Sequence, residues 1–177
     1  AEQDFAPAQC NLGFFYYRGI AVEEDDHQAA MWFAKAAQQG YARAQMLMGE
    51  CFENGYGVEK DPEKAFALYQ ASHEQGYEAG TCALGVCYDR GIGVEADQEK
   101  AAQLYMDSAK EGYPRGQYMV AQCYEYGHGM EKDYVKAAEY YRLAHESGFP
   151  PGTCALGLCY EIAMGVEEDK EKAVQLY

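Results

Sequence analysis

Apolar side chains recur along this chain at helical spacing, stop at a glycine turn, and then recur. Over residues 42–54, Ala44, Met48, Cys51 and Phe52 share one face, which predicts an amphipathic helix. Gly55-Tyr56-Gly57 breaks it. Asp61 is suited to cap a second helix, with Pro62 at the first helical position, where its missing N–H costs nothing. Ala65, Leu68, Tyr69 and Ser72 mark the buried face of that helix. Gly76 supplies the left-handed residue that ends it, and Tyr77 the apolar contact beyond. Residues 42–77 therefore read as helix A, a glycine turn and helix B.

The same phrase returns every 36 residues. Gly13, Gly49, Gly85 and Gly157 keep that interval, with Ala121 in the remaining place. So do Gly40, Gly76, Gly112 and Gly148; Asp25, Asp61, Asp97, Asp133 and Asp169; and Ala29, Ala65, Ala101, Ala137 and Ala173. Unbroken register of this kind predicts a solenoid, in which each unit buries its apolar face against its neighbours. The units read as 6–41, 42–77, 78–113 and 114–149, followed by a truncated fifth at 150–177. Ala1 to Phe5 align with Ala37 to Tyr41 and read as the tail of a preceding helix B. Neither end shows a polar capping helix, so the expectation is part of a longer array, with any targeting segment outside it. A repeated lysine (Lys64, Lys100, Lys136, Lys172) lies in the first turn of helix B, against the helix dipole. An acidic neighbour is expected for it.

Charge narrows the partners. With 29 acids against 14 bases the net charge is -15, which opposes nucleic acid and anionic membrane surfaces. No apolar run reaches the roughly 18 residues that a membrane span needs.

The chemistry-bearing residues form no catalytic set. TCALGVCY at 81–88 and TCALGLCY at 153–160 each hold two cysteines five positions apart. On one helix that spacing leaves the side chains about 140° apart and about 7.5 Å along the axis. Cys82 and Cys87, like Cys154 and Cys159, can neither pair nor share a metal. Cys51, Cys87, Cys123 and Cys159 occupy one repeat position, matched by Phe15, and are expected as small buried hydrophobes. His27, His73, His128 and His145 make no metal-ligand motif, and surface or packing roles suit them better. The Gly-x-Gly turns lack the third glycine and preceding strand of a dinucleotide fingerprint. No metal, cofactor or catalytic residue is expected.

The pattern as a whole resembles the Sel-one-like repeat, a helix-pair cousin of the tetratricopeptide repeat. Residues 78–113 carry it most fully, with Leu84-Gly85, Tyr88, Gly91-Ile92-Gly93-Val94, Asp97, Lys100-Ala101, Tyr105 and Gly112. Departures are local: Ala21 and Ala163 replace turn glycines, Gln28 replaces the lysine, Ala121 the helix glycine and Met130 a valine. They bear on turn shape and helix spacing. The resemblance implies an all-α fold, a right-handed α-α superhelix with helix A lining a concave face. A secreted, cysteine-rich subfamily ties helix A to helix B by disulfides, but helix B holds no cysteine here. A cytoplasmic or other reducing compartment is therefore expected.

Carried over by register, the concave stripe takes Pro7, Cys10, Phe14, Tyr17 and Arg18 in the first unit. It takes Arg43, Met46, Glu50, Glu53 and Asn54 in the second, and Ala79, Cys82, Val86, Asp89 and Arg90 in the third. The fourth gives Arg115, Tyr118, Gln122, Glu125 and Tyr126, and the fifth Pro151, Cys154, Leu158, Glu161 and Ile162. The best candidates for contact are Phe14, Tyr17, Arg18, Arg43, Met46, Glu50, Asn54, Val86, Asp89, Arg90, Arg115, Tyr118, Gln122 and Tyr126. The resemblance implies a scaffold or adaptor that holds a partner peptide or domain on this face. The alternatives are a regulatory repeat region of a longer protein or enzyme complex, and an enzyme in its own right.

Overall fold

The computed structural model describes residues 5–177, so all of the expected tail at 1–5 except Phe5 lies outside the described residues. Ten α-helices and no strand occur among them. They are α1 (Ala6–Arg18), α2 (Asp26–Gln38), α3 (Ala42–Asn54), α4 (Pro62–His73), α5 (Glu78–Arg90), α6 (Gln98–Lys110), α7 (Pro114–Tyr126), α8 (Tyr134–Glu146), α9 (Pro150–Ile162) and α10 (Lys170–Leu176). Odd-numbered helices are the predicted helix A and even-numbered ones helix B. The chain divides into two compact units, the first ending at Ala96 and the second beginning at Asp97.

Each hairpin is closed by one aspartate. The side chains of Asp25, Asp61, Asp97, Asp133 and Asp169 accept the backbone N–H three residues on, satisfying one of the helix's orphan donors. The Asp61 N–H donates back to the Phe52 carbonyl at 3.0 Å, and Asp25, Asp133 and Asp169 do the same in their own hairpins. In two hairpins the acidic neighbour of the repeated lysine is this same cap: Lys64 reaches Asp61 at 2.8 Å and Lys136 reaches Asp133 at 3.4 Å, while Lys172 donates to the Tyr160 hydroxyl. Such exposed pairs stabilise little. The lysines also cover helix-A rings, Lys64 over Phe52, Lys136 over Tyr124 and Lys172 over Tyr160.

Inside a hairpin, the helix-A glycine seats the ring of helix B. A Cβ on Gly13 would fall 2.7 Å from Phe33, and on Gly49 2.6 Å from Tyr69. Tyr69 donates its hydroxyl to Glu53 at 2.6 Å, Tyr177 to Glu161 at 2.8 Å, and Tyr141 to Glu125. Phe33 has no hydroxyl, and the matching acid is absent from α1, where Tyr17 stands instead. Ala121 does not open the fourth hairpin; it and Tyr141 are buried in one cluster with Leu156 and Cys159.

Between hairpins, a second glycine sets the approach. Gly57, with φ +66°, presses against the first turn of α2, where a Cβ would overlap the Asp26 carbonyl. Gly93 meets Pro62 in the same way, Gly129 meets Gln98, and Gly165 meets Tyr134. Ala21 holds the equivalent place and keeps the left-handed backbone at φ +60°; no helix B precedes it among the described residues. Ala163 likewise adopts φ +57° in place of the first turn glycine. Turn shape survives both substitutions, at a cost of about 1–2 kcal/mol each. The histidines also act here: His73 Nδ1 lies 2.9 Å from Thr81 Oγ1, and His145 2.9 Å from Thr153. Within the first unit α3 touches both α1 and α5, whereas α2 and α4 have no comparable contact. Helix A thus lines the narrow side of that unit.

The thiols are mostly core. Cys51, Cys87, Cys123 and Cys159 are buried, as their repeat position predicts. Burial pushes Cys51 and Cys87 up to about 12 and Cys159 to about 11. Phe15, at the same repeat position, is 43% exposed. Two expectations are corrected. Cys10 and Cys82, expected on the open stripe, are 0% and 1% exposed. Side chains around them close over both, Cys10 within one cluster with Ala44, Leu47 and Met48. Cys154 alone of the seven is exposed.

Two outcomes follow. Thiol titration of the native protein should show one fast cysteine, Cys154, with the other six reacting only on unfolding; fast reaction of Cys10 or Cys82 would contradict the packing. Gly93→Ala should cost about 2–5 kcal/mol in chemical denaturation, combining left-handed strain with backbone overlap. Gly76→Ala, at φ +75° in open space, should cost only about 1–2 kcal/mol. Equal losses would remove the close approach as the reason for the second glycine.

Candidate functional site

The helix-A face of the first unit is an aromatic and arginine surface. Phe14 and Tyr17 follow one turn apart on α1, with ring centroids 6.5 Å apart, and Tyr56 from the α3–α4 turn lies 5.9 Å from Tyr17. Arg43 of α3 sits 5.7 Å over the Phe14 ring and reaches Asn11 at 3.5 Å. That span helps to cover Cys10, whose thiol is pushed up by burial and held back by the Arg43 charge. Met46 and Glu50 are half-buried beside it, and the Asn54 side chain donates to the Glu50 carbonyl at 3.0 Å. Tyr17, Leu47, Glu50 and Tyr56 enclose a small dimple. Burial and the neighbouring Tyr56 and Glu50 push the Tyr17 hydroxyl above its usual range.

On α5 the structure separates the candidates. Arg90 is exposed and Asp89 half-buried, but Val86 is only 5% exposed. Val86 is therefore a core residue and cannot meet a partner. Its isopropyl group is too short to leave the seam that Glu50 and Gln122 reach across at the same repeat position. Arg18, at the last position of α1, is exposed.

In the second unit α7 and α9 enclose a cleft of about 380 Å³. Tyr118, Gln122, Glu125 and Tyr126 line it from α7, and Pro151, Cys154, Ala155 and Leu158 from α9. Tyr141 of α8 forms its floor, and Met164 closes one end. Tyr118 is fixed between Tyr141 and Phe149, each at 5.6 Å, and accepts a hydrogen bond from Gln122 at 3.2 Å. Burial and the Glu125 charge hold its hydroxyl protonated. Tyr126 is 50% exposed, and its hydrogen bond to Glu125 raises its hydroxyl too. Arg115, at the opposite end of α7, is exposed.

The stripe thus yields two local sites. Met164, Ala155 and Tyr141 belong to the cleft, and Tyr56 and Asn11 to the first face, yet none was marked by the helix-A register. Tyr56 and Met164 come from turns, where periodicity carries no facing information. Tyr141 was legible as a helix-B core ring but not as a cleft floor. Among the described residues no cluster of three or more His, Cys, Asp or Glu is arranged to hold a metal ion, and no helix is long and apolar enough to cross a membrane.

Comparison with known proteins gives this architecture a family. The Sel1 repeat matches residues 6–41, 42–77, 79–113, 114–149 and 150–177. No curated protein sequence matches the chain. Among solved structures, a Sel1 repeat protein from Oxalobacter formigenes is similar over 99% of this chain and 70% of its own, with 31% identity and a TM-score of 0.84. The protective antigen c5321 of uropathogenic Escherichia coli, which displays the same fold, is also 31% identical over 99% of this chain, with a TM-score of 0.82. This chain spans 38% of that antigen. Helicobacter pylori cysteine rich protein B matches in fold at 23% identity and a TM-score of 0.57, over 70% of this chain and 93% of its own. The chain belongs to the Sel1 repeat family, whose helical hairpins form non-catalytic scaffolds for protein–protein interaction.

Proposed function

We propose that this chain is an adaptor that binds a partner peptide or domain on the helix-A faces of its two units. The observation that carries this reading is the distribution of charge. The five helix-A segments hold four bases and six acids, whereas the rest of the chain holds ten bases and 23 acids. A molecule of net charge -15 thus keeps its helix-A faces close to neutral. All four helix-A bases are arginines, and four of the chain's five arginines lie there. Tyrosine and arginine on a weakly charged surface are the residues that anchor protein interfaces, while the acidic remainder serves solubility and steering. The same face would serve if the chain is a regulatory repeat region of a longer protein, a reading consistent with its covering 38% of the c5321 antigen.

The test is charge reversal at exposed arginines. Arg43 is left alone, because its contacts with Phe14 and Asn11 hold the packing. Arg18→Glu, Arg90→Glu and Arg115→Glu together should reduce partner capture from the protein's own cell extract at least tenfold, with the melting temperature unchanged. Arg142→Glu, at the one arginine outside helix A, should leave capture intact. Undiminished capture by the triple variant, or equal loss in the Arg142 variant, would move the site off these faces.

A further inference from the structure

The cleft of the second unit has a chemistry of its own. Its volume of about 380 Å³ lies within the range of about 300–1,000 Å³ typical of ligand sites. Three tyrosine rings, Tyr118, Tyr126 and Tyr141, form its walls and floor, with Leu158 and Met164 adding apolar surface. Leu158 is 42% exposed. None of the residues lining it is basic.

One end of the cleft is negative for two reasons. Glu125 lies there as the penultimate residue of α7, so its carboxylate adds to the negative end of the helix dipole. Glu161 occupies the same place on α9. Glu125 accepts the Tyr141 hydroxyl and the Tyr126 hydroxyl. A carboxylate offers about four lone-pair sites, so two remain for a donor arriving from the cleft. The nearest base on the same helix, Arg115, is ten residues away and about 15 Å along the axis.

Ring faces attract a cation, and a carboxylate behind them fixes its head group. Lysine and arginine suit such a site doubly, because their stems are apolar while their ends are charged. The charge of -15 draws a basic partner to the surface before any contact forms. We infer that the α7–α9 cleft receives a lysine or arginine side chain from a basic segment of the partner. Its stem lies on Leu158 and Met164, and its head lies across the Tyr118 and Tyr126 rings toward Glu125. The assignment rests on the reading of helix A as the docking face and names what one part of it recognises.

The probe is a random heptapeptide library selected against the full 177-residue chain, followed by fluorescence-polarisation titration of the enriched peptides. The expected result is a lysine or arginine at one fixed position of the enriched sequences. Replacing it by citrulline or norleucine should weaken binding at least tenfold, as should Glu125→Gln or, leaving the Tyr141 hydrogen bond intact, Tyr126→Ala. Glu167→Gln removes one exposed acid elsewhere and should have no effect, which separates the cleft from bulk charge. Enriched peptides that lose binding to Leu158→Arg but need no basic residue would overturn the cation assignment and leave the docking face standing. Peptides that bind Leu158→Arg undiminished, or a library from which nothing is enriched, would count against both.

Discussion

The close approach of a turn glycine to the first helical turn of the preceding hairpin governs this structure. Gly57 and Gly93 make it in the first unit, Gly129 and Gly165 in the second. Each position needs a left-handed backbone, and each leaves no space for a methyl group between two main chains. A residue with a side chain would force the two hairpins apart at that edge. The approach fixes the distance between successive hairpins, and with it the alignment of the helices they present. Repeat proteins draw their stability from such nearest-neighbour interfaces. A device of this kind therefore recurs at each of the four turns that meet a preceding hairpin among the described residues.

Within the hairpin a second constraint acts independently. The helix-A glycine admits the helix-B ring, and the ring hydroxyl finds a glutamate one turn further along helix A. The two change together: Phe33 lacks the hydroxyl, and α1 lacks the acid. That pairing leaves no buried phenol seeking a partner in α2 and no carboxylate desolvated without a donor in α1. Glu125 shows how one group can serve both scaffold and surface. It holds Tyr141 in the core and, from the same carboxylate, faces the cleft.

Much of this was legible in the sequence because it is local. Helix limits follow from caps and turns, and the unit length from exact spacing, so α3 spans the expected 42–54. The left-handed turns at Ala21 and Ala163 show that the repeat imposes its backbone even where glycine is missing. Facing was legible only as a direction. A helical register says which way a side chain points, not how far the neighbours extend beyond it. Cys10, Cys82 and Val86 point along the expected stripe and still end in the core, while Cys154, at the repeat position of Cys10 and Cys82, is exposed; the surrounding side chains decide, not the register. The cleft was harder again, because Tyr141, Met164 and Tyr118 come from different segments that only packing brings together.

The central claim is that helix A, with Tyr56 and Met164 from the adjoining turns, meets the partner while the exposed side chains of helix B meet water. Hydroxyl-radical footprinting of the chain with and without its captured partner tests it most directly, since exposed aromatic and aliphatic side chains stand on both faces. Protection should appear at Tyr17, Tyr118, Tyr126 and Leu158, with Tyr134, Val135, Leu143 and Val174 on helix B labelled as in the free protein. Protection confined to Tyr134, Val135, Leu143 and Val174 would contradict the account.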